Sequence, residues 1–167
     1  MIFMKRVIFI GQAMPKRNMA ESHDWPSLNL WLYSIGLNDK QIKNNFLYAA
    51  LVDYFPGYQE KGGHKVPTKD EIAKDRKRLG KTLHGFNPEI LVTIGKLSLN
   101  YCLNEKINSL DSNYIGKSFL VDPYNMLGKK ILIIPLPHPS GASTWKYKKG
   151  NMELLEKALN LLKDNLY

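Results

Sequence analysis

Cysteine is nearly absent: Cys102 stands alone in 167 residues. A lone thiol closes no intramolecular disulfide and builds no all-cysteine metal cluster. It lies in the apolar stretch Leu97 to Leu103, which reads as a buried helix position rather than a nucleophile. Long hydrophobic runs are also missing. No stretch approaches the roughly 20 apolar residues that cross a bilayer. Met1 to Ile10 is interrupted by Lys5-Arg6 and runs into Gly11-Gln12 with no small-residue cleavage site, so it does not read as a signal peptide. Acidic residues are scarce. Asp plus Glu number 15 against 24 Lys plus Arg, a formal charge of +9. Such a surplus favours a polyanionic partner: DNA, RNA or an anionic membrane surface. A lysine-rich surface kept for solubility would give the same number, so charge alone does not choose.

What is present is the composition of an ordinary globular chain, 44% hydrophobic and 23% charged, which argues against wholesale disorder. The length suits one domain over residues 1–167, and neither a repeat nor a linker divides it. Four β-rich runs stand out: Val7 to Ile10, Phe46 to Val52, Ile90 to Ile94 and Ile131 to Ile134. They are continuously apolar, as expected for strands of a parallel sheet covered on both faces. Helical patterns lie between them. Ser27 to Ile35 places Leu28, Trp31, Leu32 and Ile35 at helical spacing, with Ser27 as cap and Gly36 as stop. Thr68-Lys69-Asp70-Glu71 is a capping box opening a helix to about His84. Gly95 to Leu103 is a shorter helix, and Asn151 to Leu166 an amphipathic final one. Alternation of strand and helix predicts a three-layer α/β/α sandwich around a mainly parallel four-stranded sheet. In such sheets ligands bind at the carboxyl ends of the strands.

The residues that follow the strands are therefore the candidates. After the first run comes Gly11-Gln12-Ala13-Met14-Pro15, where a glycine permits a tight turn and the next amides can point into the crevice. Lys16 and Arg17 follow, then Trp25, either a core-edge aromatic or a platform for base stacking. The second run leads into a long loop from Asp53, rich in aromatics and glycine and carrying Lys61 and Lys65. Interleaved aromatics and lysines suit unpaired nucleotides, although a plain surface loop reads much the same. After the third run, Gly95-Lys96 opens a helix whose amides could receive a phosphate or simply form a β-α turn. The last run ends in Pro135-Leu136-Pro137-His138-Pro139-Ser140-Gly141-Ala142-Ser143-Thr144-Trp145. Two prolines restrict the backbone around His138, as suits a positioned acid, base or hydrogen-bond donor. Ser140, Gly141 and Ser143 offer hydroxyls and a close-approach backbone for phosphates.

Taken in order, these pieces resemble the uracil-DNA glycosylase superfamily. The glycine-bearing segment Gly11 to Pro15 matches its first motif, and His138-Pro139-Ser140-Gly141-Ala142-Ser143 its His/Asn-Pro-Ser loop. Val66-Pro67-Thr68 to Glu71 and Phe86 to Gly95 look like the middle section, so the resemblance covers nearly the whole chain. It implies a DNA glycosylase of base excision repair that flips a uracil or other deaminated base out of the helix and hydrolyses its glycosidic bond. It casts His138 as donor to the departing base, with backbone amides near Gln12 and Ala13 completing an oxyanion hole. Gly11, Trp25, Ala50 and Asp53 fall in the base-binding region. Lys16, Arg17, Lys61, Lys65, Ser140, Gly141, Ser143 and Lys146 fall in the DNA contact region. The partner the resemblance implies is DNA with a damaged base, not a membrane. The protein is expected to act as a monomer in the cytoplasm or another DNA-containing compartment.

The sequence departs from the family pattern at four places. Ala13 stands where the most familiar branch has a water-activating Asp, leaving Glu21, Asp24 and Asp53 as unranked substitutes. Ala50 replaces an Asn that reads the uracil edge in many members. Tyr54 and Asp75 occupy positions of iron–sulfur cysteines in the branch sharing Pro-Leu-Pro-His-Pro-Ser-Gly-Ala-Ser, so neither cofactor nor metal is expected. Ala142 stands where some relatives carry a Leu wedge, which would leave flipping to Trp145 or to a single-stranded substrate. Two other readings stay open: a DNA-binding relative that has lost turnover, and an α/β enzyme acting on free nucleotides or a small phosphorylated metabolite.

Overall fold

The computed structural model describes residues 2–15, 25–140 and 144–167. Five strands form one sheet: β1 (Val7–Ala13), β2 (Phe46–Val52), β3 (Ile90–Ile94), β4 (Phe119–Val121) and β5 (Ile131–Leu136). Their order is β2-β1-β3-β5-β4. All pairings are parallel except β4 with β5. The helices are α1 (Pro26–Ser34), α2 (Asp39–Asn45), α3 (Lys69–Phe86), α4 (Lys96–Leu103) and α5 (Asn151–Asp164). The fold is the expected three-layer α/β/α sandwich, with five strands in place of four.

Strand alternation divides the core in two. Val7 and Phe9 of β1, with Val92 and Ile134, face Leu28 and Leu32 of α1, Ile42 of α2 and Leu155, Leu159 and Leu162 of α5. Ile8 and Ile10, with Leu91 and Ile133, face Leu79 and Leu83 of α3 and Cys102 of α4. Side chains on successive strand positions point to opposite faces, so a strand apolar at every position must be covered twice. Cys102 is buried as expected, and burial pushes its thiol pKa up to about 12, which leaves it unreactive at neutral pH.

Helix α3 begins where the capping box placed it. Thr68 Oγ1 accepts the Glu71 N–H, and Glu71 Oε1 accepts the Thr68 N–H. Four features differ from expectation. The last strand runs on to Leu136, and β1 runs on to Ala13, so Gly11 lies inside a strand, paired with Ala50, rather than in a turn. Helix α1 starts one residue early, capped by the backbone of Trp25 rather than the side chain of Ser27. Helix α2 lacks apolar periodicity, with Ile42 its one buried residue, but has its own capping box between Asn38 and Gln41. Strand β4 is a three-residue antiparallel edge, too short to show a pattern, and Leu120 lies exposed on it.

Phe9 is fully buried at the centre of the first face. Its ring packs edge-on against Tyr48 at 5.3 Å and tilted against Phe46 at 5.3 Å. Truncating it leaves a cavity among residues that cannot collapse independently. Phe9→Ala should cost about 3–5 kcal/mol, and Thr68→Ala about 1 kcal/mol through the lost cap. Urea denaturation of both variants checks the ordering; a Phe9→Ala cost no larger than that of Thr68→Ala would contradict this packing.

Candidate functional site

The carboxyl ends of β1 and β5 and the middle of β2 border one cavity of about 400 Å³. Its wall is drawn from five segments. Ala13, Met14 and Pro15 come from the end of β1, and Tyr48 and Ala49 from β2. Trp25 to Ser27 lead into α1, and His138 and Ser140 follow β5. His64 reaches in from the β2–α3 connection.

Trp25 lies flush against β1, and this explains Gly11. A methyl group there would stand 3.3 Å from Trp25 Cη2, closer than carbon atoms pack comfortably. Gly11 therefore serves close approach, not a turn. The Trp25 ring meets Tyr48 at 5.9 Å and His138 at 6.0 Å, both edge-on. Tyr48 is fixed by a hydrogen bond from its phenol to Asn29 Oδ1. Burial raises its pKa far above the ordinary tyrosine range, so the hydroxyl stays protonated.

His138 is the central group. The Ser140 backbone N–H donates to its Nδ1 at 3.1 Å. A nitrogen that accepts an N–H carries no proton, so the neutral ring holds its proton on Nε2 and presents a donor. The ring is exposed through the cavity. The surrounding walls nonetheless strip it of enough water to lower its pKa below the usual histidine value, and the charge of His64 lowers it further. Pro137 is buried and Pro139 half-buried, so the loop that carries the ring is fixed on both sides.

The connection from β2 to α3 is not a plain loop. Lys65 N–H donates to Gly57 O at 2.8 Å, Gln59 N–H to Gly63 O at 2.8 Å, and Tyr58 and His64 form a β-bridge. Gly62 and Gly63 take φ of +88° and +82°, the left-handed backbone such a turn requires. This small hairpin returns His64 to the cavity, its ring edge-on to Phe55 at 5.2 Å and to Tyr58 at 5.6 Å. The Gly62-Gly63 pair was the readable sign of a hairpin. Pro26, Tyr48, Ala49 and His64 are the wall residues that sequence reasoning did not single out.

The expected site residues divide as follows. Ala13, Trp25, His138 and Ser140 share the cavity wall, with Gly11 directly behind Trp25. Gln12 is half-buried in β1 and outside the wall. Ala50 is also outside it: its side chain is buried, and its carbonyl accepts from Arg78 at 2.7 Å, so Ala49 holds the place expected of it. Asp53 is exposed outside the wall, with its N–H bonded to Asp75 Oδ2 at 2.7 Å. Lys61 and Lys65 are exposed on the hairpin. Lys146 is half-buried, its ammonium 5.2 Å from the Tyr147 ring centroid. Trp145 is held in place, its indole N–H donating to Leu110 O at 2.7 Å, so it is anchored rather than available as a wedge. Lys16, Arg17, Glu21, Asp24, Gly141, Ala142 and Ser143 lie outside the described residues.

The family model for the uracil DNA glycosylase superfamily matches residues 3–163. The chain belongs to the uracil-DNA glycosylase superfamily. Comparison with curated proteins gives no match. Membership gives the chain a DNA-glycosylase-like role and DNA as its partner class. No described helix is long and apolar enough to cross a membrane.

The iron–sulfur cluster carried by one branch of this superfamily does not fit the residues here. Such clusters are held by cysteine thiolates. Tyr54 donates instead to Glu71 Oε2, and Asp75 pairs with Arg78 at 2.8 Å while accepting the Asp53 N–H. Cys102 is enclosed in the core on the α4 face. Among the described residues no three His, Cys, Asp or Glu side chains converge as metal ligands.

A lowered histidine pKa has a calculable sign for stability. The folded state disfavours the imidazolium more than the unfolded chain does. The resulting stability is fully present above about pH 6.5, the unfolded value, and is lost as pH falls through the lower folded value. His138→Gln, which cannot titrate, should show a smaller acid-side loss of stability than the native protein below pH 6.5. Thermal unfolding between pH 7.5 and 5 measures this, and identical pH dependence in the two proteins would contradict it.

Proposed function

We propose that the protein is a monomeric DNA glycosylase of base excision repair that hydrolyses the N-glycosidic bond of a flipped-out uracil or other deaminated base. The observation that carries this reading is the fixed, neutral His138. Its ring lines a cavity walled by Trp25 and Tyr48, and its free donor is Nε2–H, in a fold whose superfamily acts on DNA.

The chemistry follows from what the wall offers. A base buried in a stack cannot be reached, so the nucleotide must leave the helix. Trp25 supplies an aromatic face for it. As the C1′–N bond lengthens, negative charge gathers on the base and concentrates at a carbonyl oxygen. A donor already aimed at that oxygen stabilises the transition state without reorganising, and more strongly in an apolar cavity than in water. Protonating His138 beforehand would set two donors, the Nδ1–H and the Ser140 N–H, against each other, so the neutral form is the one this loop supports. Ala13 lies beside the cavity, and β1 is no longer paired with β3 beyond Ile10, which leaves that strand edge available to the leaving group. Exposed Lys61 and Lys65, with Lys148 and Lys149, supply cations for phosphates.

A second reading, a DNA-binding relative without turnover, draws support from one observation: no described wall residue is a carboxylate. The two separate in one assay. The proposed glycosylase should cut a uracil-containing oligonucleotide after alkali, and His138→Ala should lower its single-turnover rate by about a hundredfold or more. Affinity should change little, because phosphates and stacking carry it, and should fall steeply with salt in both proteins. Near-normal excision by His138→Ala would refute the role given to this residue. Salt-sensitive binding with no cleavage of any lesion would establish the second reading.

A further inference from the structure

Hydrolysis of a glycosidic bond needs an atom that takes a proton from the attacking water. Three titratable side chains stand in the described cavity wall: Tyr48, His64 and His138. Tyr48 is excluded, because its phenol keeps its proton and donates it to Asn29. His138 is excluded, because its one available lone pair, on Nδ1, is occupied by the Ser140 N–H. His64 differs from both. Its hydrogen bonding among the described residues runs through its backbone, whose carbonyl accepts from Gln59 Nε2. The ring packs in T-shaped contacts with Phe55 and Tyr58, which orient it without consuming a nitrogen. It is exposed and stands in the cavity wall.

Resting on the glycosylase reading of this cavity, we infer that His64 is the catalytic base that activates water against C1′. The imidazole lone pair takes one proton from water as the oxygen forms its bond to C1′. The C1′–N electron pair leaves with the base, whose anion accepts a hydrogen bond from His138 Nε2–H. The proton held on His64 then returns through solvent to the base anion. The products are the free neutral base and a 1′-hydroxyl abasic site, with no net change at the protein. His64 thereby stands in for the carboxylate that Ala13 does not provide. It comes from a hairpin after β2 instead of from the end of β1.

The test is single-turnover excision from a uracil-containing single-stranded oligonucleotide by the native protein, His64→Ala and His64→Gln. Both variants should be slower by about a hundredfold or more, the usual contribution of a general base, with affinity within a few-fold of native. Added imidazole should restore part of the His64→Ala rate by occupying the vacated space, which a merely structural loss would not allow. Native-like rates in both variants would overturn the inference while leaving the glycosylase reading intact. So would loss of excision in Glu21→Gln or Asp24→Asn with His64→Ala unaffected. An oligonucleotide that stays attached to the native protein but not to His64→Ala on a denaturing gel would also overturn it, since the lone pair would then be attacking C1′ itself. A native protein that excises no lesion overturns the glycosylase reading beneath it.

Discussion

Parallel pairing of β1 between β2 and β3 is the constraint on which the site depends. Parallel strands cannot be joined by tight hairpins; each connection must cross a face of the sheet, and here helices make the crossings. The path from β1 to β2 runs through α1 and α2 over one face, and the path from β2 to β3 runs through α3 over the other. The chain therefore changes sides at β1, and the strand ends there are left open as a crevice. Trp25 and His138 follow β1 and β5, and Tyr48 meets Trp25 because β2 pairs in parallel with β1. Burial of both sheet faces makes these strand ends rigid. A hydrogen-bond donor is useful in catalysis only if it does not move when charge appears.

The local chemistry builds on this rigidity in small steps. Gly11 removes a side chain so that Trp25 can lie against the strand. Trp25 and Tyr48 then make a wall that excludes water from one side of His138. The prolines and the Ser140 amide fix the ring and its tautomer. Burial in the cavity wall and the charge of His64 keep the ring neutral, and the amide fixes which nitrogen holds the proton.

Much of this was legible in the sequence because burial on both faces leaves a plain trace. Runs such as Ile90 to Ile94 admit few readings, and the box at Thr68 and Glu71 announced α3. The His138 loop was legible for a different reason: two prolines around a histidine at a strand end serve positioning better than packing. What was not legible had weak or ambiguous signals. Strand β4 spans three residues, and α2 buries one side chain. Gly11 reads as a turn unless the position of Trp25 is known. Whether Ala49 or Ala50 meets the cavity turns on a single step of strand register, which alternation within one apolar run does not fix. His64 was hidden because its placement depends on a hairpin folding back over the strand ends, a tertiary fact that a glycine pair hints at but does not locate.

The central claim is that His138 is neutral at physiological pH, with its proton on Nε2 and its Nδ1 accepting from the protein backbone. Nitrogen-15 NMR of histidine-labelled protein, assigned through His138→Gln, reads this directly. At pH 7 the account predicts an unprotonated Nδ1 and a protonated Nε2, with titration below the ordinary histidine value. An Nδ1–H tautomer, or an imidazolium at pH 7, would contradict it.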